Sequence, residues 1–420
     1  MPGCFGAGEC EGEFSWPTLG GLVLRAIETL RLPRFFLLQV PDPATPGAMK
    51  RYPAFDPPEY VSWVADPALL KAYRDAPASD PDRRREIDAL TEDAHLGLYR
   101  DLLRTRLHDI GLKRWVKTGV ISKAWLGTGE EAVTVGSVAA LARDRDVVSP
   151  MIRNAGALHM MGMPLADMFR GYLATEDSAS GGRDLHIGDR SRGIIQPISH
   201  MGTSVTVVTG AALAFRNRGE DRVALTWVGD GATRTAACHE GMNLAAVQNA
   251  PVIFVIQNNQ VALGTRVDQH AAGDLARWPD VYGIPSWSCD GNNVLDVYAA
   301  TRLAAAACRR GEGPAAVVAE TFRMGGHATH DEREARETFP AALFEAWGRR
   351  DPVGMYEAYL VDRGVPVAAL DRIDADVTSE MDAAAAEALT SRDRHPAPES
   401  ALYEGVSEGR VLVGLDRRPI

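Results

Sequence analysis

DRVALTWVGDGATRTAACHEGMNLAAVQNAPVIFVIQNNQVALGT, residues Asp221 to Thr265, decides the fold. Val223 to Val228 is a short apolar run that ends in Gly229-Asp230-Gly231. About fifteen residues rich in Ala, Met, Leu and Gln follow, and Pro251 then opens a second apolar run, Val252 to Ile256, closed by Asn258-Asn259. Strand, helix, strand is the pattern of a parallel crossover. Both strands of such a unit finish at one edge of the sheet, so Asp230 and Asn259 are expected to meet there, although twenty-six residues separate the two motifs.

A carboxylate and an amide converging on one point suit a magnesium ion, which takes an octahedron of oxygens, few of them from protein and others from a ligand's phosphates. Asp230 supplies the charge, Asn259 a neutral carbonyl, and Val261, just past the turn, a main-chain carbonyl. Gly229 and Gly231 lack a Cβ and admit phosphate oxygens close to the backbone, while the following helix turns its amide-rich end toward them. The stretch reads as a magnesium diphosphate cradle. Gly-Asp-Gly alone also suits a hairpin turn; the spacing and flanking strands favour the cradle.

A GDG triplet closing one strand and an NN pair closing the next resembles the thiamine diphosphate signature. The longer string GDGAT…H.G.N.AA….APVIF…NNQ.A..T is similar to the alpha subunit of the decarboxylating component of 2-oxoacid dehydrogenase complexes, the pyruvate and branched-chain family. The resemblance covers roughly residues 85 to 365. It implies an α/β chain with a parallel sheet flanked by helices, the thiamine diphosphate-binding fold, with thiamine diphosphate and magnesium as cofactors. By its motif Gly229, Asp230, Gly231, Ala232 and Asn259 would hold the cofactor, with Asp230, Asn259 and Val261 on the metal.

Other segments extend the likeness. Val147 to Gly162 is similar to the family segment whose arginine reaches the diphosphate, and Arg153 matches it; Ile152 stands where the family often has an aromatic. Ile198 to Ala212 looks like the turn and small-residue helix beneath the pyrimidine ring, with Met201 in the place of the apolar residue that bends the cofactor and Ser199 as a contact. His200 departs from the common residue at its position. Thr321 to Arg333 resembles the active-site loop, in which Arg323 and His327 would face the cofactor and His327 could hydrogen-bond a phosphate, steady a substrate carboxylate or move protons. The regulatory serine of eukaryotic relatives is here Ala328. Gly181 to His186 resembles a glycine-rich loop whose histidine is a second-rank candidate.

A net charge of -11 argues against nucleic acid as partner. Five cysteines without a CxxC pair indicate neither a zinc site nor a disulfide framework and fit a cytoplasmic protein. No apolar run reaches the roughly 20 residues of a membrane span; Leu22 to Val40 comes nearest, but charges interrupt it. No GxxxxGK[ST] string occurs, which excludes a P-loop enzyme.

Residues 1–50 read as an N-terminal extension and 51–84 as a Pro-rich aromatic arm suited to an oligomer. Residues 85–365 read as the cofactor-binding domain, and 366–420 as a helical segment and tail. Asp82 to Trp115 has helical spacing, its many charges expected on a solvated face. The GEEA string at Gly129 resembles a helix start in which the acidic pair stabilises the N-terminus.

The glutamate that activates the cofactor lies, in heteromeric members, in a separate beta subunit, and no second domain here would carry it. The resemblance therefore implies half of an α2β2 site that decarboxylates a 2-oxoacid and passes the acyl group to a lipoyl-bearing acyltransferase core. An acetoin-cleaving complex and a non-catalytic scaffold subunit are the alternative readings.

Overall fold

A computed structural model describes residues 63–399. The apolar runs form five parallel strands: β1 (Val147–Ser149), β2 (Ala224–Gly229), β3 (Val252–Asn258), β6 (Ser286–Asp290) and β7 (Ala315–Glu320), in the order β1-β2-β3-β7-β6. A small antiparallel hairpin, β4 (Val261–Ala262) with β5 (Thr265–Arg266), follows β3. The helix Ala236–Val247 carries the chain from β2 to β3, the crossover expected from the opening stretch.

Every residue of β3 is buried, which explains its nearly unbroken apolar text. Val252, Phe254 and Ile256 join Val205, Val208 and Met242 in one core, with the helices Thr203–Arg218 and Ala236–Val247 lying over that face. The helix Val294–Arg309 packs on the sheet through β3, β6 and β7, and Glu131–Ala139 packs on that helix. Gly136 makes this second contact possible: a Cβ there would lie 2.7 Å from the Val294 carbonyl oxygen and 2.8 Å from Val297 Cβ. Asn293 caps Val294–Arg309, its side chain accepting from the amides of Leu295 (3.1 Å) and Asp296 (3.3 Å).

Two expectations need correction. Residues 82–115 are not one helix: Pro81–Asp88 ends at Ala89, and Glu92–Lys117 restarts on a Thr91 cap, Thr91 Oγ1 accepting from Ala94 N at 3.2 Å. Nor are its charges all solvated. Arg106, Asp109 and Lys113 are buried because partners remote in sequence meet them. Arg106 pairs with Glu131 and, at 3.0 Å, with Asp351; Lys113 meets Glu332 at 3.0 Å; Asp109 accepts from the amide of Gly127 at 2.8 Å.

The boundary drawn at 84/85 falls inside the helix Pro81–Asp88. Trp63 and Tyr73 of the arm are buried against this same chain: Trp63 Nε1 donates to Gly348 O (2.8 Å), and Asn293 donates to Tyr73 O (2.7 Å). The helix Val367–Leu389 packs on Glu92–Lys117 and Leu165–Leu173. Residues 1–50, the other aromatics of the arm (Tyr52, Phe55, Tyr60), Cys4, Cys10 and the last part of the tail lie outside the described residues. Among the described residues, no helix is long and apolar enough to cross a membrane.

Candidate active site at the C-terminal edge of the sheet

The register pairs Gly229 with Gln257 across β2 and β3, so Asp230 and Asn259 leave the sheet together at its C-terminal edge. Asp230 opens a tight turn, Gly231–Arg234, instead of entering a helix directly. The helix behind it is already capped, Thr235 Oγ1 accepting from Cys238 N at 3.3 Å, so the amides next to Asp230 belong to the turn and not, as expected, to the helix end. Asp230 Oδ1 accepts from Gly231 N at 2.7 Å. Its other oxygen, Oδ2, is buried with no hydrogen-bond partner and lies 3.8 Å from His270 Nε2. Burial pushes the Asp230 carboxyl above the usual range.

Asn259 is oriented by Glu130, whose Oε1 accepts from Asn259 Nδ2 at 2.7 Å and also from Gln257 Nε2. Glu130 and Glu131 are both buried. They act as acceptors for side chains from other elements, and only Glu131 touches the local turn, through Gly129 N at 2.9 Å. The GEEA string is thus a buried hub more than a helix-end charge. Gln257 signalled this in the sequence as a polar residue closing the apolar β3 run; Glu130 gave no comparable signal.

Arg153 donates from Nη1 to Leu126 O (3.0 Å), and its Nη2 lies 3.3 Å from His327 Nδ1, which must then accept. Arg323, from the loop after β7, spans the hairpin: Nη1 donates to Val261 O at 3.0 Å and Nη2 to Leu263 O at 2.7 Å. The Val261 carbonyl expected on a metal is therefore already an acceptor. One of its two lone pairs remains for a cation. Burial, reinforced by Arg153, lowers the Arg323 pKa to about 10. Burial, then Arg153 and Arg323, lowers that of His327 to about 4, so the imidazole is neutral near pH 7. Both guanidinium groups line the same cavity; Arg153 Nη1 lies 3.5 Å from Glu130 Oε2, and neither arginine is paired bidentately with a carboxylate, which leaves positive charge for an anion.

Arg153, Ser199, Met201, Gly229, Asp230, Gly231, Ala232, Asn259, Val261, Arg323 and His327 all line one cavity of about 560 Å³, as does His186. Met201 is 63% exposed and stands at the cavity's surface. Ser199 Oγ lies 3.1 Å from His186 Nε2, and His186 Nδ1 lies 2.8 Å from Asp184 Oδ1. Ala328 is buried, its amide donating to Asp331 at 2.8 Å, so the loop after β7 is packed against the molecule. Sequence reasoning missed Trp125 in the cavity wall and His270 beside Asp230.

A sequence model of the dehydrogenase E1 component matches residues 99–398. The chain belongs to the dehydrogenase E1 component family. It is 33% identical over 328 residues to the 2-oxoisovalerate dehydrogenase subunit alpha of Bacillus subtilis (strain 168), covering 76% of this chain and 97% of that one. It is 33% identical over 284 residues to the 3-methyl-2-oxobutanoate dehydrogenase subunit alpha of Mycobacterium tuberculosis, covering 67% and 74%. The pyruvate dehydrogenase E1 component subunit alpha of Acholeplasma laidlawii is 29% identical over 282 residues, covering 66% and 77%. Membership of the E1 family implies thiamine diphosphate as cofactor.

The residues present fit that group. Gly229 leaves open space where a side chain would stand, the nearest atom being Met151 Sδ at 4.0 Å from its ideal Cβ position. An unpartnered carboxylate oxygen and two buried arginines border the same space. Among the described residues no cluster of three or more His, Cys, Asp or Glu could hold a metal by itself.

Proposed function

We propose that this chain is the alpha subunit of a thiamine diphosphate-dependent 2-oxoacid dehydrogenase component. With a beta subunit in an α2β2 assembly, it would oxidatively decarboxylate a branched-chain 2-oxoacid or pyruvate and pass the acyl group to the lipoyl arm of an acyltransferase core. The supporting observation is that residues read from four separate motifs meet in one cavity, around a buried Asp230 oxygen that no protein group satisfies. The names of the relatives, branched-chain first, favour this over acetoin cleavage.

When bound, thiamine diphosphate supplies the nucleophilic carbon and the electron sink for decarboxylation. Asp230 and Asn259, with the free lone pair of Val261 O, would hold a magnesium ion that also takes diphosphate oxygens. Arg153 would bind the diphosphate, Arg323 would add charge from the hairpin side, and the turn would offer the amide of Ala232, that of Gly231 being taken by Asp230 Oδ1. Ser199 and Met201 would border the ring. His327, neutral and held with Nδ1 toward Arg153, keeps Nε2 to donate a hydrogen bond to a substrate carboxylate or to move a proton. The buried thiols Cys238, Cys289 and Cys308 are free, which supports a cytoplasmic site of action.

The test is 2-oxoacid decarboxylation by the full chain, alone and with its beta subunit, in the presence of magnesium and thiamine diphosphate. Activity is expected only from the pair. Full activity from the lone chain would refute the divided site, and activity on acetoin alone would refute the substrate class.

A further inference from the structure

The main cavity has a smaller neighbour. Pro150, Met151, Ile152 and His186 line both spaces, and behind them lies a chamber of about 20 Å³. That is room for one water-sized group. The chamber's remaining walls are mostly apolar, Leu158 and Met168 among them, with two exceptions, His108 and Tyr172, whose hydroxyl donates to Trp125 O at 3.5 Å. His108 lines this chamber and not the main cavity.

His108 is 1% exposed, and neither of its ring nitrogens has a hydrogen-bond partner. Asp109 Oδ1 is 3.8 Å from Nδ1, too far for a hydrogen bond, and Phe169 packs against the ring with centroids 4.9 Å apart. An imidazole always presents at least one N–H donor or one lone pair at each nitrogen, and a buried group left unmet is destabilising. The fold nevertheless brings this ring to the side of a void lined mostly by apolar side chains, with Tyr172 and His186 also on its wall. The four residues that line both spaces make the chamber a neighbour of the space where the substrate would react, and two of them, Met151 and Ile152, have flexible aliphatic side chains.

We infer that the chamber is the far end of the substrate's side-chain pocket. His108 there selects a 2-oxoacid whose side chain ends in a hydroxyl or a similarly small hydrogen-bonding group. The inference rests on the 2-oxoacid reading given above. A pocket that pairs a hydroxyl rejects the isosteric methyl compound strongly, because the methyl leaves the buried partner unsatisfied; a purely apolar pocket discriminates weakly between the two.

An isosteric pair tests this: 4-hydroxy-2-oxobutanoate against 2-oxopentanoate, with pyruvate as a substrate too short to reach the chamber, all assayed with the assembled enzyme. The wild type is expected to favour the hydroxy acid in kcat/KM by about tenfold or more. His108→Leu should bring the ratio to one or below while leaving pyruvate turnover unchanged. His108→Asn, which keeps a donor, should retain part of the preference. Equal use of the two acids by the wild type, or the same ratio in His108→Leu, would overturn the inference and leave a water as the chamber's guest. If none of the three acids is turned over, the 2-oxoacid reading itself fails. The ring nitrogens of His108, followed by NMR on adding the hydroxy acid, then still decide whether the chamber takes a hydroxyl: a shift supports it, and no shift overturns it.

Discussion

Asp230 carries a conflict between stability and binding that a single substitution can expose. One carboxylate oxygen is satisfied by Gly231 N, whereas Oδ2 is buried and no protein group donates to it. Leaving a buried polar atom unsatisfied costs about 1–3 kcal/mol, and more when it is charged. Asp230→Asn keeps the Oδ1 bond, removes the charge and turns an amide N–H toward His270, whose Nε2 is 3.8 Å from the present oxygen. The variant is therefore expected to be more stable than the wild type in metal-free buffer by about 1–3 kcal/mol, a rise of a few degrees in melting temperature. With magnesium and thiamine diphosphate at about a hundred times the dissociation constant, the wild type should gain about 2.7 kcal/mol. Asp230→Asn should gain little. Differential scanning calorimetry of both proteins, with and without the two ligands, reads all four states. A variant that melts below the wild type without ligands, or that keeps the full magnesium-dependent shift, would refute the reasoning.

The buried ion pairs make a second target: Arg106→Met leaves Glu131 and Asp351 buried without their shared cation, and a loss of about 3–5 kcal/mol in urea unfolding is expected. Acid should destabilise the fold through histidines buried as neutral rings. Burial lowers His159 to about 3 and His95 and His327 to about 4, against about 6.5 in the unfolded chain. The unfolded chain then binds protons that the folded one does not, so stability is full above about pH 6.5 and is lost as pH falls toward 4. For the fully buried His159 the slope approaches about 1.4 kcal/mol per pH unit, and urea midpoints of wild type and His159→Gln between pH 7 and pH 4.5 should converge as the pH falls. Gly129→Ala should destabilise by about 1–3 kcal/mol, because φ there is +90° and the new Cβ would lie 2.6 Å from Met324 Cγ and 2.8 Å from the Phe322 carbonyl oxygen; a chemical melt indistinguishable from wild type would contradict that strain.

The strand-helix-strand unit was legible because two apolar runs and their polar endings are local signals, and parallel pairing then places Asp230 and Asn259 at one edge without further information. Arg323 and His327 were legible for the same reason, since they follow the end of another buried strand, β7. What local text does not carry is pairing at a distance. The charges of Glu92–Lys117 read as a solvated face because Glu131, Glu332 and Asp351, which bury them, lie elsewhere in the chain. Glu130 read as a helix-end acid because its acceptor role depends on Gln257 and Asn259, more than a hundred residues on. The engagement of the Val261 carbonyl by Arg323 likewise depends on how a hairpin folds back over a loop from the other side of β3.

Charge balance ties these findings together. Asp230 is the sole carboxylate lining the cavity among the described residues, while Arg153 and Arg323 place two permanent cations there and His327 is held neutral. Buried charges persist when they are paired. Glu130, 3.5 Å from Arg153, offsets part of that positive charge, and a diphosphate tail would offset the rest. Arg323 donates to the carbonyls of Val261 and Leu263, and Asp230 Oδ2 accepts no hydrogen bond, His270 Nε2 being 3.8 Å away. Arg323 holds the hairpin through the carbonyls of Val261 and Leu263 and adds positive charge to the cavity, so Arg323→Met should weaken magnesium-dependent cofactor binding and also loosen the hairpin. Hydrogen exchange at residues 261–266 that is unchanged in Arg323→Met would show that the arginine does not hold the hairpin.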